Sequence, residues 1–560
     1  MKTGAQALID GLKQQGVKVV FGIPGGAVLA IYDELSHSDI KHILTRSEQG
    51  AAHAAAGYAK AGSGVGVCLA SSGPGATNLV TGLANAYMDS VPLVAITGQV
   101  PRAMVGTDAF QEVDITGITQ PITKHNYLVT NADDIPRIVA EAFYIAGTGR
   151  KGPVLIDIPS DVANAPCRKE APAEPDLPGY KPNYKGHPAQ IRLAANALSK
   201  AKRPLIYAGG GVISAAASAE MLALSENGGI PVVTSLMGKG AIKEDNPLCM
   251  GMLGIHGLPA ANWAAMHCDT LLVLGGRFSD RVMGERCKFA PDATIIHVDI
   301  DPAEIAKNVV ARIPIVGDLR EIVKEIGDQA KLEPQKDWLA ELEEAKDRNI
   351  LVFGDQTQVD ENGEELLNGG AIIDKLTEQT EGKAIITTDV GQHQMTAARH
   401  YHPAEPGLFI TSGGLGTMGF GLPSALGAQI ACPEKMVVCV TGDGSLQMTL
   451  NEMATIKAQK LPVKILLFNN KSLGLVRQLQ HTYCDENYFA VDMVGNPNFL
   501  MLAMAYGFEN LRIEDPGDIE PTLKKALANG KPTLIDCSIS KDEMILPIVK
   551  KDKGLDEMSF

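Results

Sequence analysis

Residues 436–470 read MVVCVTGDGSLQMTLNEMATIKAQKLPVKILLFNN. Two short apolar runs, Met436–Val440 and Val463–Phe468, flank one helix-length stretch, Gln447–Lys460. The order is strand, turn, helix, strand. Such a crossover is right-handed and lays its strands parallel. Parallel strands deliver their C-terminal ends to one sheet edge, where α/β proteins bind ligands. The first run closes on Gly442-Asp443-Gly444 and the second on Asn469-Asn470, so Asp443 and Asn470 are expected side by side. A carboxylate and an amide carbonyl are hard oxygen ligands that suit Mg²⁺, which completes its octahedron with phosphate oxygens and water. The stretch reads as a Mg²⁺-diphosphate clamp, although a Gly-Asp turn and an exposed Asn pair are also ordinary turn chemistry.

An earlier segment echoes this one. Val65–Ala70 reads as a strand, Ser72-Gly73-Pro74-Gly75 as a turn, Ala76–Met88 as a helix and Val91–Ile96 as a strand. Pro92 and Pro462 hold the same place before the second strand, and Gly152–Asp157 is matched by Lys531–Asp536. The offset stays near 370–380 residues, as two copies of one domain with an insertion would give. The middle has its own strands, Pro204–Ala208, Pro231–Thr234, Thr270–Leu274 and Thr294–Val298, each ending at a Gly or an acid. The expected fold is α/β, with three doubly wound parallel-sheet domains. Domains are expected at 1–165, 189–331 and 368–545, with a Pro-rich linker at 166–188, a charged connector at 332–367 and a tail at 546–560.

The chain has 560 residues, 45% hydrophobic and 21% charged, enough for three or four domains. Its formal net charge is −15 and no basic stripe appears, which argues against a nucleic-acid partner. Anionic ligands must be held by local positive charge and backbone N–H groups. The nine cysteines form no CxxC pair, and Cys68 and Cys439 fall inside apolar strands. They read as buried small hydrophobes in a reducing compartment. The N-terminus enters an amphipathic helix, Ala5–Gln15, without a signal-peptide core, and no apolar run reaches membrane-spanning length. The expectation is a cytoplasmic protein with no membrane association.

The Gly-Asp-Gly…Asn-Asn spacing resembles the thiamine-diphosphate motif. From about residue 3 to residue 545 the chain closely resembles the acetohydroxyacid synthase (acetolactate synthase) family of thiamine-diphosphate enzymes. The segments that carry the resemblance are Phe21–Ala27, Glu48–Ala51, Ser72–Asn78, Gly98–Pro101, Gly106–Glu112, Gly391–Met395 and Ser412–Gly419. It implies a pyrimidine-binding, a central FAD-binding and a diphosphate-binding domain. It also implies active sites shared between subunits of a homodimer or homotetramer, and leaves room for a regulatory small subunit.

Glu48 follows a strand, His42–Thr45, and opens a helix, Gln49–Lys60, whose face is mostly alanine, so apolar neighbours are expected. On local grounds alone an ordinary first-turn acid, favoured by the helix dipole, is the better reading. The resemblance makes it the carboxyl group that activates the coenzyme. Asp443 and Asn470 would bind Mg²⁺ by side chain and Ser472 by its carbonyl. Met418 would hold the coenzyme bent, and Gly26 and Ala27 would approach the reacting carbon by backbone. Pro24, Gly25, Gln392, His393 and Gly416 would complete the coenzyme contacts, with Gly442, Gly444, Ser445, Leu473 and Gly474. Phe110 and Gln111 would shape the acceptor pocket, and Arg281 would hold the second substrate's carboxylate.

For FAD the resemblance implies Arg150, Gly209, Gly210, Gly211, Ser235, Leu236, Gly254 and His256. Later in the chain it adds Gly275, Gly276, Arg277, Arg281, Asp299, Ile300 and Asp318. Without the resemblance each of these glycines is a tight turn. Gly414–Gly419 matches GxGxxG but lacks a convincing preceding strand, so it is not read as a dinucleotide fingerprint.

The implied reaction is decarboxylation of pyruvate and transfer of its two-carbon unit to a second 2-oxoacid, as in branched-chain amino acid biosynthesis. Five positions depart from the family pattern. Leu479 and Thr396 stand where Trp is usual, Ser160 for Lys, Ser279 for Asp and Ser47 for His. Losing the aromatic wall at Leu479 is expected to favour pyruvate as acceptor, giving 2-acetolactate. The alternatives are a pyruvate oxidase, a 2-oxoacid decarboxylase or a carboligase with aldehyde acceptors.

Overall fold

The computed structural model describes residues 2–62, 64–172, 174–353 and 367–559. It contains three six-stranded sheets, each with every neighbouring strand parallel. The first uses Val19–Gly22, Lys41–Leu44, Gly66–Ala70, Leu93–Gln99, His125–Leu128 and Pro153–Pro159. The last uses Ile385–Thr388, Phe409–Ile410, Val437–Gly442, Lys464–Asn469, Glu509–Ile513 and Thr533–Ser538. Counted in chain order, both run 2-1-3-4-6-5, so the sequence echo is a shared topology. The middle sheet, Pro204–Ala208, Val232–Thr234, Cys249–Met252, Thr270–Leu274, Thr294–Asp299 and Ile313–Val316, runs 3-2-1-4-5-6. That is the order of dinucleotide-binding sheets, with its switch point between the first and fourth strands.

The two outer units share one hydrophobic core. Its centre is the contact of helix α1, Glu48–Ala61, with helix α2, Gly421–Ala431. Alanine and glycine favour this contact because they add little bulk between the axes. A Cβ on Gly427 would lie 1.8 Å from the Ala54 carbonyl oxygen, and one on Gly57 2.2 Å from that of Ser424. No side chain fits at either place.

The crossover that opened the sequence reading differs in one respect. Gln447–Lys460 is not one helix. The strand runs through Gly442, and helix α3, Asp443–Thr449, starts at the aspartate itself. A second helix, α4, covers Glu452–Ala458. The joint tightens to three-residue hydrogen bonds, Met453 N–H to the Leu450 carbonyl at 3.0 Å and Ala454 N–H to Asn451 at 3.1 Å. This turns Glu452 towards α1, where its carboxylate is hydrogen-bonded. The stretch Ala76–Met88 likewise divides, into Pro74–Thr77 and Val80–Met88. A two-residue edge strand, Phe409–Ile410, stands just before Gly414–Gly419.

The Pro-rich stretch contributes Pro166–Cys167, paired antiparallel with Lys2–Thr3. In the charged connector, Trp338, Leu342, Ala345 and Val352 enter the core of the middle unit, and residues 354–366 lie outside the described residues. The tail packs on the same core through Val549 and Leu555. Among the described residues the nine cysteines are free, six of them buried, and no helix is long and apolar enough to cross a membrane.

Asp157, on the sixth strand of the first sheet, is buried beneath the loop that follows Gln99. It accepts hydrogen bonds from Thr97 Oγ1 at 2.7 Å and Gln99 Nε2 at 3.0 Å. Burial pushes its carboxyl up to about 7, with those two bonds opposing. A folded pKa above the unfolded value of about 4 stabilises fully below that value. The contribution is lost as pH rises through about 7.

Two outcomes are expected. Gly427→Ala should destabilise by about 3 kcal/mol or more, at or above the usual overpacking range. Gly517→Ala, whose Cβ meets nothing within 4 Å, should be neutral; equal Tm values for the two variants would refute the account. In calorimetry between about pH 4 and 8, the Tm of Asp157→Asn relative to the parent chain should rise with pH. A flat difference would show that the burial of this acid carries no stability.

Candidate active site

In the third sheet the strand order reverses between Ile385–Thr388 and Val437–Gly442. A cavity opens at the carboxyl ends of these strands and is lined by Val390, Gly391, Gln392, His393, Met418 and residues 442–445 and 472–474. Asp443 and Asn470, expected side by side from the sequence, both line it. The register pairs Gly442 with Phe468 across neighbouring parallel strands, which sets Asp443 and the Asn pair at the same level.

Each of the two side chains is oriented by hydrogen bonds. Asn496 Nδ2 donates to Asp443 Oδ2 at 2.6 Å. Asn470 Oδ1 accepts from the Ser472 N–H at 3.0 Å, and its Nδ2 donates to Gln392 Oε1 at 3.3 Å. A Cβ on Gly474 would sit 1.9 Å from Gln392 Oε1, so a larger residue there would displace the Gln392 side chain. Burial pushes the Asp443 carboxyl up to about 6, against the hydrogen bond from Asn496. A bound divalent cation would reverse that shift.

The residues fit a Mg²⁺-diphosphate group. One carboxylate, one amide oxygen and the Ser472 carbonyl supply hard donors, while Gly442 and Gly444 leave backbone accessible. His393 is buried and held neutral, its pKa lowered by burial to about 3, and its Nε2 has no hydrogen-bond partner among the described residues. Among the described residues no group of three His, Cys, Asp or Glu gathers elsewhere for a metal. Met418 lines the cavity and Gly416 lies beside it, a Cβ there being 4.0 Å from Val390. Asn496, Phe468, Glu543 and Ile545 were not foreseen, because they come from loops and strand ends without a motif. Glu543 is the most unusual of them, a carboxyl pushed up to about 7 by burial in the cavity wall.

Every residue lining this cavity comes from the C-terminal unit. Glu48, Pro24, Gly25, Gly26, Ala27, Phe110 and Gln111 sit instead on the corresponding edge of the N-terminal sheet. The environment expected for Glu48 needs correction. The alanines of α1 face α2, one turn further on, whereas Glu48 is half-exposed and Asn78 Nδ2 donates to its Oε2 at 3.0 Å. Gly26 is open, with nothing within 4 Å of a Cβ, as a backbone approach to a reacting carbon requires. Phe110 is 87% exposed. Its loop is tied by Glu112, which accepts from the N–H groups of Gly106, Thr107 and Ala109. Gln111 takes a φ of +60° against Gly73, whose Cβ would lie 2.8 Å from the Gln111 carbonyl.

In the central unit the expected FAD residues cluster after strand ends. Gly209–Gly211 follow the first strand, Ser235 and Leu236 the second, Gly254 the third and Gly275–Arg277 the fourth. Asp299 ends the fifth, Ile300 follows it, and Asp318 follows the sixth. The switch point falls between the first two glycine clusters. Much of their glycine requirement is internal, since Cβ atoms on Gly209 and Gly211 would lie 2.1 and 2.6 Å from Gly275. Thr234 Oγ1 at the same edge is buried without a hydrogen-bond partner among the described residues, and burial pushes Asp299 up to about 6. This edge therefore fits a dinucleotide. Arg281 abuts Gly254, and burial holds His256 at about 4. Arg150 is tied to Asp301 and Glu304 at 3.2 and 2.7 Å, and Arg277 reaches the Met88 carbonyl. Ser235 and Asp318 also cap their helices.

Three family models match. They are the N-terminal TPP binding domain of thiamine pyrophosphate enzymes over residues 2–118, the central domain over 191–326 and the C-terminal TPP binding domain over 389–537. A probable acetolactate synthase large subunit of Methanocaldococcus jannaschii is 48% identical, covering 98% of this chain and 93% of its own. An acetolactate synthase of Mycobacterium leprae is 47% identical over 99% and 90% of the two chains. The acetolactate synthase large subunit of Corynebacterium glutamicum is 44% identical over 100% and 90%. With the clamp, the duplicated sheets and these matches together, the chain belongs to the acetolactate synthase large-subunit family of thiamine pyrophosphate enzymes.

Proposed function

We propose that the protein is an acetolactate synthase catalytic subunit that joins pyruvate to a second 2-oxoacid with loss of carbon dioxide, using thiamine diphosphate, Mg²⁺ and FAD. The observation that carries this reading is the convergence of Asp443, Asn470 and Ser472 on one cavity at a sheet switch point. Bound thiamine diphosphate supplies a nucleophilic carbon and an electron sink for decarboxylation. Asp443, Asn470 and the Ser472 carbonyl would hold the cation, while Gln392, Ser445, Leu473 and Gly474 would surround the diphosphate. Met418 would set the bend of the coenzyme.

The pyrimidine end needs an acid, and the family pattern gives that role to Glu48 of the N-terminal unit, not to Glu543 of the cavity wall. Glu48 of a second copy supplies it, which supports a homodimer or larger even assembly with shared sites. Gly26, Ala27, Phe110 and Gln111 would enter with Glu48. Arg281 would hold the acceptor carboxylate as a bidentate cation. FAD would lie along the strand ends of the central unit, without a net redox role. The relatives named as large subunits support a smaller regulatory partner.

Thr396 lines the cavity, and Leu479 lies half-exposed on the helix Gly474–Tyr483. Both are smaller than the tryptophan usual in the family. A pocket wall discriminates one methylene by only about 1–3 kcal/mol, so the loss of an aromatic wall is enough to remove a preference for 2-oxobutyrate.

Incubation with pyruvate, thiamine diphosphate and Mg²⁺, with and without FAD, should yield 2-acetolactate, and Glu48→Gln should abolish turnover. Acetyl phosphate or acetaldehyde as main product would replace this reading with an oxidase or a decarboxylase. With equal pyruvate and 2-oxobutyrate, the C5 product should match or exceed the C6 product. A large C6 excess would refute the acceptor assignment.

A further inference from the structure

Glu452 is fully buried, yet it belongs to no part of the cavity. It opens α4 in the C-terminal unit, and its carboxylate reaches across to the start of α1 in the N-terminal unit. Oε1 accepts from the Arg46 N–H at 2.9 Å and the Ser47 N–H at 3.0 Å, and lies 3.3 Å from Ser47 Oγ. Oε2 accepts from Thr455 Oγ1 at 2.7 Å. Ser47 in turn caps α1 by accepting from the Gly50 N–H at 3.0 Å. A Cβ on Gly50 would lie 2.3 Å from Glu452 Oε1, so the glycine makes room for the carboxylate. A buried carboxylate is costly unless its oxygens are hydrogen-bonded, and here the donors are two backbone N–H groups, two hydroxyls and, at 3.4 Å, Asn451 Nδ2, gathered at helix N-termini.

The residue that follows Ser47 is Glu48. We propose that Glu452 is a positioning residue for Glu48. Its carboxylate pins the backbone of Arg46 and Ser47, fixes the first turn of α1 and so sets the direction in which Glu48 leaves the subunit. The proposal rests on the reading of Glu48 given above. Ser47, where the family usually has His, takes part directly through its hydroxyl. The same segment that carries Asp443 also carries Glu452, because α4 follows α3 after a two-residue joint. One short stretch therefore holds the cation site of one coenzyme and aims the acid offered to another.

Glu452→Asp retracts the carboxylate by one methylene and is the decisive variant. Glu452→Gln keeps an oxygen for the two N–H groups and is the conservative rescue. In the coenzyme-free protein, amide hydrogen exchange over residues 46–50 should be faster in Glu452→Asp and near parental in Glu452→Gln. In the holoenzyme, the affinity for thiamine diphosphate with Mg²⁺ should stay within about twofold, since the cation ligands are untouched. The exchange rate of the coenzyme C2 proton should fall about tenfold to a hundredfold in Glu452→Asp, the scale of a misplacement near 1 Å, and recover in Glu452→Gln. Added to Glu48→Gln, Glu452→Asp should cost nothing further, because it acts through Glu48.

A parental C2 exchange rate in Glu452→Asp would overturn the proposal. So would an additional loss on the Glu48→Gln background, or a Gln variant as slow as the Asp variant. If Glu48→Gln itself leaves C2 exchange unchanged, the assigned role of Glu48 falls and the proposal with it. That failure is told apart from the others because it needs no substitution at Glu452.

Discussion

The structure depends on the contact between α1 and α2. Two helices from units far apart in the chain approach until backbone touches backbone, with Gly57 against Ser424 and Gly427 against Ala54. Tight packing of this kind gains dispersion over many atoms and tolerates no added methyl group. It merges the two outer domains into one core. The position of Glu48 relative to the cation clamp of its own chain follows from that single interface.

Duplication explains why the two halves of the site lie so far apart in sequence. Both outer sheets run 2-1-3-4-6-5, and each presents loops at its carboxyl edge. One edge carries glycines, a carboxylate and an amide, the set proposed above for an anion with a cation. The other offers an open glycine at Gly26 and an acid at Glu48. Neither set is a complete site for a bent coenzyme with a diphosphate at one end and a pyrimidine at the other. The middle sheet, with its 3-2-1-4-5-6 order, adds a third carboxyl edge of a different type. Its long connector and the tail close over it through Trp338 and Leu555, so segments that look like spacers complete a core.

Buried carboxyl groups recur throughout the protein. Asp157, Asp299, Asp389, Asp443 and Glu543 are all pushed upward mainly by burial. Asp389 shows the structural use, accepting from the Gly419 N–H at 2.7 Å and the Gly421 N–H at 3.3 Å to hold the loop before α2. Asp443 would show a ligand use if a cation binds there, since its burial cost would then be offset. Glu452 uses the same device between domains.

The sequence by itself determined the parallel crossover, the repeated domain pattern, the placing of Asp443 and Asn470 at one sheet edge, and the glycine-rich strand ends of the middle unit. Period-two apolar runs, turn residues and motif spacing are local properties, and they survive in a one-dimensional string. Resemblance added Glu48, Met418 and the central-domain residues. Only the tertiary structure showed that Gln447–Lys460 breaks at Leu450–Asn451, because the break serves a contact more than four hundred residues away in Arg46 and Ser47. Only the fold placed Asn496 on Asp443, put Glu543 in the cavity wall and turned the alanines of α1 away from Glu48. Those are pairings between distant segments. Their energy comes from burial and hydrogen bonds that exist only once the chain has closed on itself.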